Sequence, residues 1–433
     1  MYPAVVDIQA GLDTTDTAIN ASLSIFIFVT ACFPLLWAIL AERYGSRPIY
    51  LISFFVCIVA NICCASSVNI AMFITFQGIS AIGSSSITAV GGGTIANIFE
   101  PHQRGRAFAS YNAGVLLGPT VSPIIGGYLN QGFGWRVIFW FLSIVALFIW
   151  LSILLILPET KRPPSAESKK TNVQEEYKSA EEEEISSSKV TANSNQEKER
   201  SNLNGLLGPL QFFRFPNVTL GTIFVGILFF TCYIINTNLS RIYTYQYGLD
   251  SGTVGLCYIP LATGGVLGGL IGGKCSDTAY KKQMKKVKNK GEIQAEMRLV
   301  TPIFYASIIL SLASFITFGW CIQANVHYAA GLVCVFFSMY HIGFSLVIPV
   351  VIVMAYFMDC FSRQCSSVLA CNNLIRFIMG GIGSLTASDI QRAFGPAILY
   401  AVCGGIIVLV SGNIIIIRIN RKKWNMKRKE AGF

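Results

Sequence analysis

Residues 135–157 read WRVIFWFLSIVALFIWLSILLIL, an apolar run with no charged residue after Arg136. A hydrocarbon core of about 30 Å is crossed by a helix of about 20 apolar residues, since lipid tolerates only backbone whose hydrogen bonds are satisfied internally. The run therefore predicts a transmembrane helix. The same criterion predicts eleven spans, at 21–40, 48–66, 69–98, 107–129, 135–157, 216–240, 252–273, 300–322, 326–357, 364–388 and 395–418.

The composition also indicates a polytopic, all-α membrane protein. Hydrophobic residues make up 53% of the 433 residues and charged residues 13%, and a soluble domain of this size could not bury that much apolar surface. The 13 cysteines lie mostly inside apolar runs and indicate small buried side chains. Only three histidines occur, which is little material for a zinc site or a histidine-based hydrolase. We expect neither a metal nor a cofactor.

The basic residues fall in alternate loops between the predicted spans. Lys and Arg number 33 against 22 for Asp and Glu, a net charge of +11 that raises nucleic-acid binding as an alternative. Short loops rich in Lys and Arg are retained in the cytoplasm, however, so we expect an outer N-terminus, an inner C-terminus and no nucleic-acid partner. The basic positions are Arg43, Arg47, Arg104, Arg106, Arg363, the segments 158–213 and 278–298, and the tail 418–428.

A polar segment divides the chain into two halves. Residues 158–213 are rich in Ser, Asn, Lys and Glu, and they lack the apolar content that would offset the entropy of folding. We therefore predict a disordered cytoplasmic linker at 158–213, an N-terminal bundle of five spans over 1–157, and a C-terminal bundle of six spans with a basic tail over 214–433.

Two loops carry a similar order of residues. LAERYGSRP at 40–48 follows the first predicted span, and GGKCSD at 272–277 follows the second span after the linker. The shared order of helix, acid, basic loop and helix indicates a parallel internal repeat. The two halves come into register only if one helix is missing before the first span.

A glycine-rich stretch opens the fourth predicted span. Residues 111–127 read YNAGVLLGPTVSPIIGG. Glycines four apart permit close contact between helices, and the two prolines free carbonyl groups that need a packed or water-lined setting. The stretch is more ordered than simple packing requires.

Together these segments resemble the major facilitator superfamily, and specifically its fungal drug:proton antiporter family. Residues 40–48 are similar to that family's loop signature and 114–127 to its antiporter signature. The resemblance is strongest to the branch of quinidine and polyamine exporters and the spore-wall dityrosine exporter. The opening MYPA resembles the end of the family's first helix, so we expect the chain to lack that helix.

The resemblance implies a transporter that works by alternating access, and not an enzyme. It implies export of an organic cation, drug or polyamine against proton entry, at the plasma membrane or in a prospore membrane. The alternatives are export of a dityrosine-type spore-wall precursor, a non-transporting sensor and a truncated isoform. The sequence contains neither Gly-x-Ser-x-Gly nor His-Glu-x-x-His, the common nucleophile and zinc motifs, which agrees with this reading.

Polar residues inside the spans are the candidates for a substrate cavity, because a polar group in lipid costs free energy without a partner or a function. They are Gln77, Asn112, Asn236, Tyr340, His341, Asn372, Asn373 and Arg376. The spans carry no central Asp or Glu, and Ile74 stands where the resemblance implies an Arg near the proton-coupling groups. His341 is the titratable group that remains there.

By resemblance, the two signatures serve conformational change rather than chemistry. The loop at 40–48 would latch the inner side, and 114–127 would let helices slide closely past each other. The predicted residues are Glu42, Arg43, Gly45, Arg47, Gly114, Gly118, Pro119, Pro123, Gly126, Gly127 and Asp277.

Overall fold

The computed structural model describes residues 1–98, 118, 121–157, 208–286, 298–299, 301–324, 328–361 and 365–430. Helices account for nearly all of these residues, and no strand occurs among them, which confirms the predicted all-α class. In chain order the α-helices are α1 (Val5–Gly11), α2 (Asp16–Tyr44), α3 (Ser46–Ala65), α4 (Ile70–Ser84), α5 (Ser86–Ile98), α6 (121–133), α7 (Arg136–Ile156), α8 (Pro216–Arg241), α9 (Ser251–Leu256), α10 (Ile259–Lys286), α11 (Pro302–Gln323), α12 (Tyr328–Cys360), α13 (Cys365–Ile419) and α14 (Arg421–Glu430).

Nine helical stretches in the described ranges are long and apolar enough to cross a membrane. The longest belongs to α13, which bends at Gly395, where φ is +72°. Glycine adopts this left-handed conformation without steric cost, and the following Pro396 has no N–H to continue the helix, so the bend divides α13 into two arms. These arms correspond to the tenth and eleventh predicted spans. Much of the fourth predicted span lies outside the described residues.

Side-chain caps set where several helices begin. The side chain of Thr15 accepts a hydrogen bond from the Ala18 N–H at the start of α2, and that of Asn69 accepts one from Met72 at the start of α4. Each cap satisfies a backbone donor that the first helical turn leaves free. α2 is followed by Gly45, which has a φ of +96° and separates α2 from α3 within the loop predicted at 40–48.

The helices pack in two groups. In the first half, α3 lies against α4 and α7; in the second half, α8 packs on α13, and α10 packs on α12. α2 joins the groups, because it also packs along α13. An added Cβ at Gly381 of α13 would lie 2.5 Å from the ring of Phe28 on α2, so the two halves meet closely there.

The last residues of the predicted linker form a short helix. Gly208–Arg214 forms a 3-10 helix, and Phe212 within it is 1% exposed. Its ring makes an edge-to-face contact with Phe361 at 5.4 Å between centroids. Phe212 thus packs in the core of the second half. Residues 158–207, the rest of the predicted linker, lie outside the described ranges.

Candidate functional site

A cavity of about 460 Å³ lies between the two halves. Helices α8, α10 and α12 supply most of its wall, and the first half contributes Tyr2, Ser122 and Pro123. Its described lining is mainly apolar and includes no charged side chain. A cavity of this size with few polar groups is typical of a small-molecule site. The aromatic lining residues are Tyr2, Phe229, Tyr233 and Tyr258.

Hydrogen bonds fix several of these lining groups. Tyr258 donates its hydroxyl to the carbonyl oxygen of Asn236 at 2.8 Å, and the Asn236 amide donates to the carbonyl of Cys232 at 2.8 Å. The ring of Tyr2 stacks on Tyr258 with 6.4 Å between centroids. The aromatic wall is therefore held in place before any ligand enters.

The predicted cavity residues fall in different places. Asn236 lines the cavity, whereas Gln77 is buried in the first half with its Nε2 2.9 Å from the sulfur of Met1. Neither Tyr340 nor His341 on α12 belongs to the described lining. The ring of Tyr340 instead stacks on Phe344. Asn112 lies outside the described residues.

The three predicted residues on α13 lie beside α8. Asn372 is fully buried, with its Nδ2 3.5 Å from the sulfur of Met354. Arg376, one turn further along, lies over the ring of the lining residue Phe229 at 4.8 Å from guanidinium carbon to ring centroid. Asn373 is partly buried next to Asn372. Of the predicted cavity residues, Asn236 lines the wall and Arg376 contacts a side chain that does.

The antiporter-like glycine stretch packs against the second half. An added Cβ at Gly127 would lie 2.4 Å from the carbonyl oxygen of Ser251, and one at Gly255 would lie 2.5 Å from that of Pro123. α6 therefore meets α9 backbone to backbone, as glycine permits. Gly126 is less confined, with its nearest neighbour at 3.5 Å, and Gly118 has no described neighbour within 4 Å. Gly114 and Pro119 lie outside the described residues.

The loop at 40–48, predicted to latch the inner side, makes contacts within its own half. Arg47 donates to the carbonyl oxygen of Leu154 at 2.8 Å and so joins the inner ends of α3 and α7. Arg43 lies over the neighbouring Tyr44 ring. The helix position of Glu42 is described, but its side chain is not.

The corresponding region of the second half, around Asp277, contains a cluster of one basic and two acidic residues. Arg298 donates to Asp277 at 2.6 Å and also pairs with Asp359. Burial alone lowers the pKa of Arg298, but the hydrogen bonds to Asp359 and Asp277 outweigh it and raise that pKa above its usual value. The cluster ties the inner end of α10 to that of α12 and keeps Arg298 charged.

A buried ion pair joins the two halves at the opposite end of the helices, called the outer end here after the predicted orientation. Arg241, the last residue of α8, lies 3.4 Å from a carboxylate oxygen of Asp16 at the start of α2. Both residues are under 10% exposed. Arg241 also donates to Asn20 of α2 at 2.9 Å and to Ser388 of α13 at 2.6 Å, and Arg392 pairs with Asp16. These five residues, Asp16, Asn20, Arg241, Ser388 and Arg392, are the outer network.

Sequence reasoning missed the outer network. Asp16 lies before the first predicted span. Arg241 follows directly after a predicted span, where a charged residue is common and does not indicate a site. Sequence reasoning also missed the glycines of α10, although GGVLGGLIGG at 264–273 has the same four-residue spacing as the stretch in the first half. There an added Cβ at Gly264 or Gly268 would lie 2.0 or 2.4 Å from a carbonyl oxygen of α12.

Comparison with known proteins agrees with this architecture. The family model described as Major Facilitator Superfamily matches residues 1–384. The multidrug transporter DTR1 of Candida glabrata is 30% identical, over 98% of this chain and 81% of its own length. The MFS antiporter QDR3 of Candida albicans is 26% identical, over 95% of this chain and 73% of its own length.

A solved structure shares the fold. A bacterial homolog of the human lysosomal transporter Spinster, in an inward-facing and occupied conformation, matches with a TM-score of 0.64 at 13% identity. The match covers 99% of this chain and 93% of that one. At this identity the match shows the fold alone.

Proposed function

The chain belongs to the major facilitator superfamily, in the group of the fungal drug:proton antiporters, and from this premise we propose that it exports small, largely apolar organic molecules by alternating access. It is a multi-pass membrane transporter and not an enzyme. One relative is named an antiporter and the other a multidrug transporter, and we take export as the direction of transport.

The observation that carries the proposal is the position of the outer network relative to the cavity. The cavity wall draws on both halves, and the network joins the same halves beyond the cavity at the outer end. Separating the halves at this end breaks polar contacts around Arg241, while the apolar clusters within each half keep their packing. Such an arrangement supports rocking of two rigid bundles around a central site.

Proton exchange is the second part of the proposal. Asp16 is the acid in the outer network, and a crevice of about 290 Å³ lined by Asp16, Arg241 and Arg392 lies against it. Separation of the halves would release Asp16 from both arginines and open it to solvent, where it can exchange a proton. His341, predicted from the sequence, remains a second candidate for carrying a proton.

The organic-cation cargo predicted from the sequence has mixed support. Aromatic rings such as those of Tyr233 and Tyr258 can hold a cation against their faces. A polyamine carries several positive charges, however, and the described part of the cavity wall supplies no carboxylate for any of them. The plasma membrane is the site of action that fits export from a cell.

The experiment is an efflux assay in yeast cells that express the full chain or carry an empty vector. Cells are loaded with a neutral fluorescent dye, and its retention is followed at external pH 5 and pH 7.5. We expect lower retention with the chain, and a larger difference at pH 5, because the inward proton gradient is steeper. Equal retention in both strains at both pH values would refute the proposed function.

A further inference from the structure

Arg376 is a positive charge in the middle of a predicted span, and its planar group faces aromatic rings. The guanidinium carbon lies 4.8 Å from the centroid of Phe229 and 4.7 Å from that of Phe377. The two rings pack edge to face against each other at 6.2 Å. Cation–π contact of this kind holds a guanidinium without using its N–H donors.

Within the described ranges, the guanidinium has no hydrogen bond or ion pair. Its Nε is fully buried and lacks a hydrogen-bond partner. The acids whose side chains are described lie toward the helix ends instead: Asp7, Asp13, Asp16, Asp250 and Asp389 at the outer end, and Asp277 and Asp359 at the inner end. An unpaired charge inside a membrane protein is costly and is retained where it serves a function.

The position of Arg376 connects this charge to the cavity. Phe229, whose ring it contacts, is a lining residue, and so is Tyr233, one turn further along α8. The rest of the described wall is apolar and aromatic. The apolar and aromatic wall thus suits an aromatic body, and one cationic group, whose Nε lacks a partner, lies next to this wall at Phe229.

We propose that the cavity binds aromatic carboxylates, with Arg376 as the group that pairs with the carboxylate. This inference rests on the proposed export function and narrows its cargo. A carboxylate matches the fork of a guanidinium with two parallel hydrogen bonds and supplies the missing negative charge. An organic cation of the same shape meets the repulsion of Arg376 and gains no opposite charge from the described wall.

The test compares three probes on one ring system: 2-naphthoate, the neutral 2-naphthamide and the cationic trimethyl-2-naphthylammonium. Isothermal titration calorimetry on the purified full chain at pH 7.4 gives each Kd. We expect 2-naphthoate to bind at least about tenfold tighter than the amide, since a charge-assisted bidentate pair is stronger than a neutral contact. The cation should bind most weakly.

Two variants and one control assign the preference to Arg376. Arg376→Gln should make the Kd values of naphthoate and amide equal, and Arg376→Lys should keep part of the preference, because it retains the charge but loses the fork. The control is Arg418→Gln on the same helix, at an exposed position outside the cavity, which should change neither Kd. Thermal unfolding of each variant verifies that it is folded.

Several results would overturn the inference. They are equal Kd values for naphthoate and amide in the wild type, tightest binding by the cation, no binding of naphthoate to the folded wild type, or an undiminished preference in Arg376→Gln. Proteoliposomes separate this failure from that of the export function. Export of the cation without binding of naphthoate leaves efflux standing, whereas naphthoate binding through Arg376 with no export of any probe refutes efflux and retains the site.

Discussion

Arg241 contacts three of the other four residues of the outer network. Its guanidinium contacts Asp16 and Asn20 on α2 and Ser388 on α13. Removing one partner of a buried ion pair leaves an uncompensated charge and costs about 3–5 kcal/mol. A change here should therefore move the balance between open and closed forms by more than most surface changes do.

We expect Arg241→Gln to reduce export at least about tenfold, because Asp16 then remains buried with Arg392 as its only described cationic partner. Arg241→Gln should also lower the unfolding temperature, and Asp16→Asn in the same chain should recover part of that loss but not the export, since it removes the unpaired charge together with the acid proposed to exchange protons. A double-mutant cycle on unfolding temperatures measures the coupling. Strictly additive effects of the two changes would show that the pair does not act as a unit.

For single residues, the sequence predicts which side chains are candidates for a site better than it predicts which residues they contact. Asn236 and Arg376 were found because a polar group in an apolar run has few explanations, and the structure places one in the cavity wall and the other against it. Asp16 and Arg241 are 225 positions apart. Nothing in one chain's local pattern connects such residues, and each alone resembles an ordinary charge at a helix end.

Glycine positions decide how closely α10 and α12 pack. Gly264 and Gly268 of α10 face carbonyl oxygens of Tyr340 and Phe344, and Gly343 of α12 faces that of Leu261. Contact this close increases van der Waals attraction, which drives helix association in membranes where the hydrophobic effect is absent. The wall of the cavity formed by these two helices therefore depends on residues without side chains.

Gly268→Ala should destabilise the protein by about 1–3 kcal/mol, because its Cβ would lie 2.4 Å from the backbone oxygen of Phe344. The neighbouring Gly269→Ala is a matched control, since its Cβ would meet only a side-chain carbon of Val347 at 3.6 Å. Both changes bring the same gain in helix propensity. Scanning fluorimetry in detergent compares them, and a similar unfolding temperature for the two variants would contradict the packing account.

Sequence patterns predict the elements well and their neighbours less well. Apolar runs locate the membrane helices, and the break before Pro396 separates the last two spans, where the structure has the bend at Gly395. The glycine stretch was expected to make close contacts. That Gly127 would meet Ser251 of the other half could not be derived, because glycine spacing identifies a close surface and not its partner.

The orientation of the whole molecule follows from its charge distribution and can be tested by tagging. Gly134 and Gly248 are turn positions with positive φ, and a Cβ added at either would have no neighbour within 4 Å. Short epitope tags inserted there should be accessible to antibody on intact cells. A tag at Glu182 should be accessible only after permeabilisation. The reverse pattern would invert the topology and place the outer network on the cytoplasmic side.

The repeat of helix, acid and basic loop predicts two related bundles. The family match confirms a protein of the major facilitator superfamily. Composition and loop charge predicted a polytopic helical protein, because lipid limits a chain to few architectures, and the repeat related its two halves. The relation between the halves was not predictable, since it depends on contacts such as Gln131 with Asp250 across the two bundles. Those contacts hold the two halves together at the outer end and so determine on which side the cavity is closed.

The most direct test is the distance between the two halves at the outer end. Spin labels on genetically encoded keto amino acids at Phe133 and Phe394, both exposed, avoid the 13 native cysteines. Double electron–electron resonance should give a short distance in the wild type, and an added longer population in Asp16→Asn, as the outer network opens. The same single distance in the wild type and in Asp16→Asn would contradict alternating access through this network.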